Sequence, residues 1–310
     1  MEYIWILVGI VGLYFGGEYL VKGSVGLSLR YGISPMIVGL TVVAFGTSAP
    51  ELIVSVRSAL SGHADIAFGN VVGSNIANVL LILGLPALIA PIAMTKCDAQ
   101  RGWYEMMFCS ILFIILAMIN PFGIMQGTIL LFVFVTILFM QIKRAKSGEA
   151  VDLDDVDTSV AQLPMLRIFL FILAGLILLP IGADRLVFGA VTVARDMGIS
   201  EAVIGLTVVA IGTSLPELAT SLNAALKGET DVAIGNVIGS SLFNIVLILG
   251  TTGMIATSTI NPSLISFDIP VMLAVSALLG LFVLKRITIS KAIGAAFIAA
   301  YIAYVVALVV

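Results

Sequence analysis

A glutamate follows a proline inside an apolar stretch, and the same arrangement returns 166 positions later. Gly46-Thr47-Ser48-Ala49-Pro50-Glu51 lies within a run extending from about Ile33 to Leu60, and Gly212-Thr213-Ser214-Leu215-Pro216-Glu217 occupies the same place in a second run. A carboxylate in a segment of membrane length is costly without a partner, so such a residue is read first as functional. Proline lacks an N–H and clashes with the carbonyl four residues back, here that of Gly46, so each segment must be interrupted at this point. Any fold of this chain has to accommodate two broken apolar helices, each carrying an acid at the break.

Composition decides what surrounds them. The 310 residues are 60% hydrophobic and 11% charged, with a mean hydropathy of +1.19, whereas a soluble domain has roughly 25% charged residues. The chain is therefore expected to be an all-α polytopic membrane protein whose surroundings are the lipid bilayer. A net charge of −3 and the lack of a basic patch give no nucleic acid a foothold, and no protein partner is evident. The N-terminal Met1-Glu2-Tyr3-Ile4-Trp5 runs into an apolar span with neither a basic leader nor a small-residue cleavage site, so it reads as a first transmembrane helix. Cys97 and Cys109 have no metal-ligand spacing. His63, the single histidine, sits in a short polar loop and reads as a solvated residue.

Cutting at charges and Gly/Pro clusters, with roughly 20 residues needed per crossing, gives ten spans. Five lie at 3–28, 34–60, 66–91, 103–120 and 124–142, and five at 165–193, 200–226, 231–255, 267–284 and 290–309. The domains are then 1–142, a polar cytoplasmic linker at 143–163, and 164–310. The excess of Lys and Arg on cytoplasmic loops places Arg30, Lys143, Arg167 and Lys285 inside, with both termini outside.

Sliding the chain on itself aligns Gly39–Ala44 with Gly205–Ala210, Gly69-Asn70 with Gly235-Asn236, Gly73-Ser74 with Gly239-Ser240, and Asn78 with Asn244. Between 32–84 and 198–250 about thirty of roughly fifty positions are identical, the mark of an internal duplication. Five spans separate each position from its copy. An odd number makes the copies enter the membrane from opposite sides, so the repeats are inverted, an arrangement that puts transport sites near the midplane where broken helices meet.

The polar residues of these helices share one chemistry. Glu51 and Glu217 bring carboxylates, Thr47, Ser48, Thr213 and Ser214 bring hydroxyls, and the next helices add Ser74, Asn78, Ser240 and Asn244. Asn78 follows Ser74 by four residues and Asn244 follows Ser240 by four, so each pair shares a helical face. The breaks also free carbonyls around Ala44 to Thr47 and Ala210 to Thr213, tolerable only where they line a cavity. Every one of these groups offers oxygen, which suits a hard cation and not zinc, copper or iron. Calcium takes six to eight oxygens of this mixed kind and sodium fits the same set, while magnesium resists dehydration. Glu18 and Asp184, also duplicated, have Lys22 and Arg185 within reach and read as structural.

Two copies of Gly-Thr-Ser-x-Pro-Glu, each followed by Gly-Asn-x-x-Gly-Ser-x-x-x-Asn, resemble the alpha repeats of the cation/calcium exchanger superfamily, in particular its sodium/calcium exchanger branch. The resemblance implies ten transmembrane helices, with the second, third, seventh and eighth as core and the first and sixth as a sliding pair. It implies that Glu51, Glu217 and the carbonyls of Thr47 and Thr213 hold calcium. Ala44, Ala210, Ser48, Ser214, Ser74 and Ser240 complete sodium sites, with Asn78 and Asn244 near the centre. Some members of this branch carry aspartate at the position of Asn244, so this chain has only two site carboxylates.

The expectation is a secondary antiporter, not an enzyme, exchanging calcium for sodium across a prokaryotic plasma membrane, with the ions as cargo and no cofactor. A proton/calcium antiporter on the same scaffold is the alternative, and a cation channel a more distant one.

Overall fold

The computed structural model describes residues 2–94, 97–119, 121–146, 163–197 and 210–309, and the regular elements among them are all helical. Helix α1 spans Glu2–Tyr31, α2 Pro35–Thr47 and α3 Ala49–Leu60, α4 Ala64–Ile89, α5 Cys97–Ala117 and α6 Ile124–Lys146. In the second half α7 spans Met165–Asp196, α8 Ala210–Gly212, α9 Leu215–Leu226, α10 Thr230–Ile255, α11 Leu264–Lys285 and α12 Lys291–Val309.

Seven of these helices are long and apolar enough to cross a membrane, and eight if α2 and α3 count as one span bent by 45°. The sequence predicts ten. The fourth expected span is present as α5, but Asp98, Arg101 and Glu105 crowd its first turns and lower its apolar character. Only 210–226 of the seventh expected span is described, as α8 and α9. Residues 147–162 of the expected linker, Lys96, and the second-repeat positions 198–209 lie outside the described residues.

The core is made by α4 and α10. Val71, Val72, Ile76, Val79, Val237 and Ile245 on them are fully buried, whereas α1, α7 and α12 turn many large apolar side chains outward, among them Leu7, Phe169 and Ile302. That exposure suits a lipid-facing surface, where lipid replaces a protein neighbour.

Small residues bring the helices close. Helices α1 and α7 pack along their length: a Cβ at Gly12 would stand 3.0 Å from the Gly182 Cα, and one at Gly182 would stand 2.7 Å from the Leu13 backbone nitrogen. Helix α2 meets α10 in the same way, where a Cβ at Gly235 would lie 2.6 Å from the Met36 carbonyl oxygen. Without a hydrophobic drive between helices in lipid, such close backbone approach is what allows dispersion contacts to hold them.

Two isolated backbone bridges tie the loops. Ile92, after α4, pairs with Ile289, before α12, and Phe122, before α6, pairs with Ser258, after α10. Helix α5 separates Ile92 from Phe122, so the two bridges lie at opposite ends of the helices.

Candidate ion-binding site

Each broken helix restarts with proline in its first turn. Pro50 is in the first turn of α3 and Pro216 in that of α9, where the missing N–H would be unbonded in any case. The break falls at the preceding serine, with Ser48 at φ −82°, ψ 5° and Ser214 at φ −90°, ψ 5°. Ser48-Ala49-Pro50-Glu51 and Ser214-Leu215-Pro216-Glu217 both spell the serine-x-x-glutamate pattern of a capping box. Neither serine caps its own helix. The Ser48 hydroxyl donates across to Glu217 Oε1 at 3.1 Å, and the Ser214 hydroxyl reaches Glu51 Oε1 at 3.5 Å. The two breaks thus exchange their serines and meet face to face, with each carboxylate in a helical first turn where the helix dipole favours negative charge.

Both glutamates are buried, at 1% exposure each. Thr47, Ser48, Ser214, Ser74, Ser240, Asn78 and Asn244 are buried as well. The Thr47 hydroxyl donates to Asn236 Oδ1 at 3.0 Å and lies 3.4 Å from the Ser240 hydroxyl. Thr213, by contrast, is only partly buried. Ala210 opens α8, but its side chain is outside the described residues. Ala44 is fully buried, and its carbonyl is not fully freed, because it accepts the Ser48 N–H at 3.0 Å. The carbonyls of Phe45, Gly46 and Thr47 meet no backbone donor among the described residues. The expected freeing therefore begins one residue later than the sequence suggested, because the turn still closes one last helical hydrogen bond before Pro50.

Residues beyond the expected set hold the site in shape. Asn70 donates to the Glu51 carbonyl at 3.4 Å and to the Ser55 hydroxyl at 3.1 Å, and its copy Asn236 donates to the Glu217 carbonyl at 3.3 Å and to the Ser221 hydroxyl at 3.0 Å. The Gly-Asn of the repeat marked these two asparagines in the sequence, but not their role as clamps on α3 and α9. Asn75 and Ser241 carried no such signal, because they occupy equivalent positions with different residues. Asn78 donates to the Ser241 hydroxyl at 3.2 Å, Asn244 donates to Asn75 Oδ1 at 3.2 Å, and Asn75 donates to the Ser241 carbonyl at 3.2 Å. Asn78 and Asn244 each begin a π-helical turn, Asn78–Ile82 and Asn244–Ile248. Such widened turns recur at functional sites.

Among the described residues, three acceptors at this crossing have no hydrogen-bond partner: Glu51 Oε2, Glu217 Oε2 and Asn244 Oδ1. Buried acceptors are almost always satisfied in folded proteins. Among the described residues no ion pair reaches either glutamate, and no cluster of three His, Cys, Asp or Glu side chains forms a conventional metal site. Two carboxylates, an amide oxygen and nearby hydroxyls, all pointing acceptors inward, suit a hard cation.

The remaining acidic pair is bound elsewhere. Glu18 pairs with Lys22 at 2.8 Å and with Lys227, just beyond α9, at 3.3 Å, while Asp184 faces Arg185 at 3.6 Å.

Comparison with known proteins shows what the whole chain is similar to. The sequence model of the sodium/calcium exchanger protein family matches residues 1–143 and 167–310. The chain is 38% identical over 307 residues to a putative antiporter, CaxA, of Alkalimonas amylolytica, covering 97% of this chain and 96% of that protein. It is 31% identical to the sodium/calcium exchanger MaX1 of Methanosarcina acetivorans, covering 99% of this chain and 98% of that one. Among solved structures it is similar to the sodium-calcium exchanger NCX_Mj soaked with sodium and without calcium, at a TM-score of 0.85 and 31% identity, over 99% of this chain and 98% of that chain.

Proposed function

The chain belongs to the sodium/calcium exchanger family, a family of multi-pass membrane antiporters, and on that premise we propose that it exchanges calcium for sodium by alternating access at the crossing of α2–α3 with α8–α9. The observation that carries this reading is the set of unpartnered buried oxygens on Glu51, Glu217 and Asn244. One calcium ion neutralises the two carboxylates, and so do two sodium ions. With Glu51, Glu217, Thr47 and Thr213 toward calcium, and Ala44, Ala210, Ser48, Ser214, Ser74 and Ser240 completing sodium positions around Asn78 and Asn244, the two ions compete for the same oxygens. The occupied, neutralised site moves and the empty charged one does not, so exclusion alone couples the two fluxes. The ions are cargo, and the reading requires no resident cofactor or enzymatic step.

The architecture proposed with it is ten spans in two inverted repeats, 1–142 and 164–310, joined by a cytoplasmic linker. The loop bridges support it. Shifting Ile92 by the repeat length gives Ser258, and shifting Phe122 gives Thr288, next to Ile289, so the two bridges are copies of one another at opposite ends of the molecule. We place the protein in a prokaryotic plasma membrane with both termini outside, and α1 and α7, packed on each other through glycines, as the pair that slides.

The test is calcium uptake into proteoliposomes under a sodium, a potassium or a pH gradient imposed separately. Uptake driven by sodium alone is expected. Uptake driven by the pH gradient and indifferent to sodium would replace sodium with protons as the coupling ion, on the same two carboxylates.

A further inference from the structure

Asp268 is an acid inside the apolar helix α11, away from the two glutamates, and it is 9% exposed. It ends the π-helical turn Leu264–Asp268 and stands at the N-cap of the α-helical part that follows, which carries Pro270 in its first turn. Its side chain nevertheless makes no cap bond. One carboxylate oxygen, Oδ1, accepts the Tyr304 hydroxyl of α12 at 2.8 Å. Among the described residues the other has no hydrogen-bond partner and no ion pair neutralises the group. Capping does not account for this acid, and one phenol does not balance its charge.

The carboxylate lines a cavity of about 240 Å³ together with Asn70, Ser74, Ser214, Tyr301 and Tyr304. A space of this size has room for several waters, and Asp268, Asn70, Ser74, Ser214 and the two tyrosines offer them polar partners. Two of its walls belong to the ion site, since Ser74 is one of the candidate ligands and Ser214 reaches Glu51. The cavity lies near the start of α11, just beyond the Ser258 bridge, and the last turns of α12 at Val305 and Leu308 also line it. The repeat equivalent of Asp268 is Gly102. A Cβ there would already touch Leu40 at 3.3 Å and Ile238 at 3.4 Å, so the equivalent place in the first repeat is packed shut and has no acid. The feature therefore does not belong to the duplicated machinery of the ion site.

Resting on the antiporter reading above, we propose that Asp268, held by Tyr304, is a second cation site, where a hydrated sodium or calcium ion waits in the cavity one step from Glu51. A carboxylate in a low-dielectric cleft concentrates cations at its mouth. The single hydrogen bond from Tyr304 fixes its direction while leaving one oxygen for the ion. Its place at one end only makes loading from that face faster than loading from the other.

The experiment reads the charge of the cavity directly. In a background with Cys97→Ser and Cys109→Ala, Val305→Cys places a thiol on the cavity wall, and its rate of reaction with a cationic and an anionic methanethiosulfonate reagent is measured in proteoliposomes. The cationic reagent should be favoured about tenfold relative to the same pair acting on a free thiol. The preference should survive Asp268→Glu, vanish in Asp268→Asn, and weaken when millimolar sodium or calcium is added. In flux measurements Asp268→Asn should raise the half-saturating calcium concentration on that face by about tenfold. Glu51→Gln should stop flux and leave the labelling preference intact, so loss of the antiporter reading and loss of this one give different results. A thiol at 305 that no aqueous reagent reaches, or a preference identical with Asp and Asn at 268, overturns the proposal.

Discussion

At the scale of single residues, the site is a balance of negative charge against missing donors. Glu51→Gln and Glu217→Gln should each abolish calcium flux in liposomes while the protein remains monodisperse, because one positive charge of calcium would then sit uncompensated in a buried site. Near-normal flux in either mutant would sink the two-glutamate site. The two serines are not equivalent: Ser48 holds Glu217 at 3.1 Å and Ser214 stands 3.5 Å from Glu51. Hydrogen bonds to charged groups contribute about 1.5–3 kcal/mol, so Ser48→Ala should weaken calcium binding by about tenfold or more and Ser214→Ala by less. Calorimetric titration of both mutants decides the order. Asn244→Ala removes an unpartnered acceptor and also takes from Asn75 the amide that donates to it, so it should weaken binding and lower the thermal midpoint together.

At the scale of elements, the proposed sliding of α1 and α7 separates contacts that would move from contacts that hold. Helices α1 and α7 approach closely enough that Gly182→Leu must push α1 away, since even a Cβ would lie 2.7 Å from the Leu13 nitrogen. Overpacking of this kind costs about 1–3 kcal/mol, and the mutant should melt earlier in detergent than Gly73→Ala, where a Cβ would meet open space. The Glu18–Lys22–Lys227 cluster joins α1 to the end of α9. Its members are partly exposed, and exposed pairs contribute about 0–1 kcal/mol. Lys227→Gln should therefore leave the melting midpoint nearly unchanged, and a large drop would assign the cluster a structural weight that its exposure does not suggest.

At the scale of the whole molecule, the proposed inversion of the repeats predicts accessibility from two sides. His63 and Gly228 lie in equivalent short loops, after α3 and after α9. Cysteines placed at them should react with an impermeant reagent from opposite faces of the membrane, the first from outside and the second from inside. Reaction of both from one face would remove the two-fold relation, and with it the reason for a shared midplane site. The residues that diverge between the copies then mark where the two faces differ. Asp268 against Gly102 is one such place, and Lys227 against Ser61 another.

Much of this was legible in the order of residues. Periodic apolar runs of membrane length can satisfy their backbones only as helices, so the all-helical membrane fold followed from composition and length. Proline in the middle of such a run has to end a helix, so both breaks were placed to within a residue or two, and the duplication pointed to most of the polar residues that now lie together. Three things were decided only by packing. Ser48 and Ser214 belong to local capping patterns, yet each turns to the other repeat's glutamate, because the crossing of the helices brings a carboxylate within reach of each hydroxyl. Asn75 and Ser241 join the network although the repeat does not pair them by type, since a hydrogen bond needs complementary donors and acceptors and not identical residues. Asp268 carries no signal in the repeat, and it is a buried carboxylate on a cavity wall only because α12 brings Tyr304 against it while α4 and the break at Ser214 also line the space. Local chemistry sets where a chain must bend or break, but which polar atoms are left without partners depends on what distant helices bring to them.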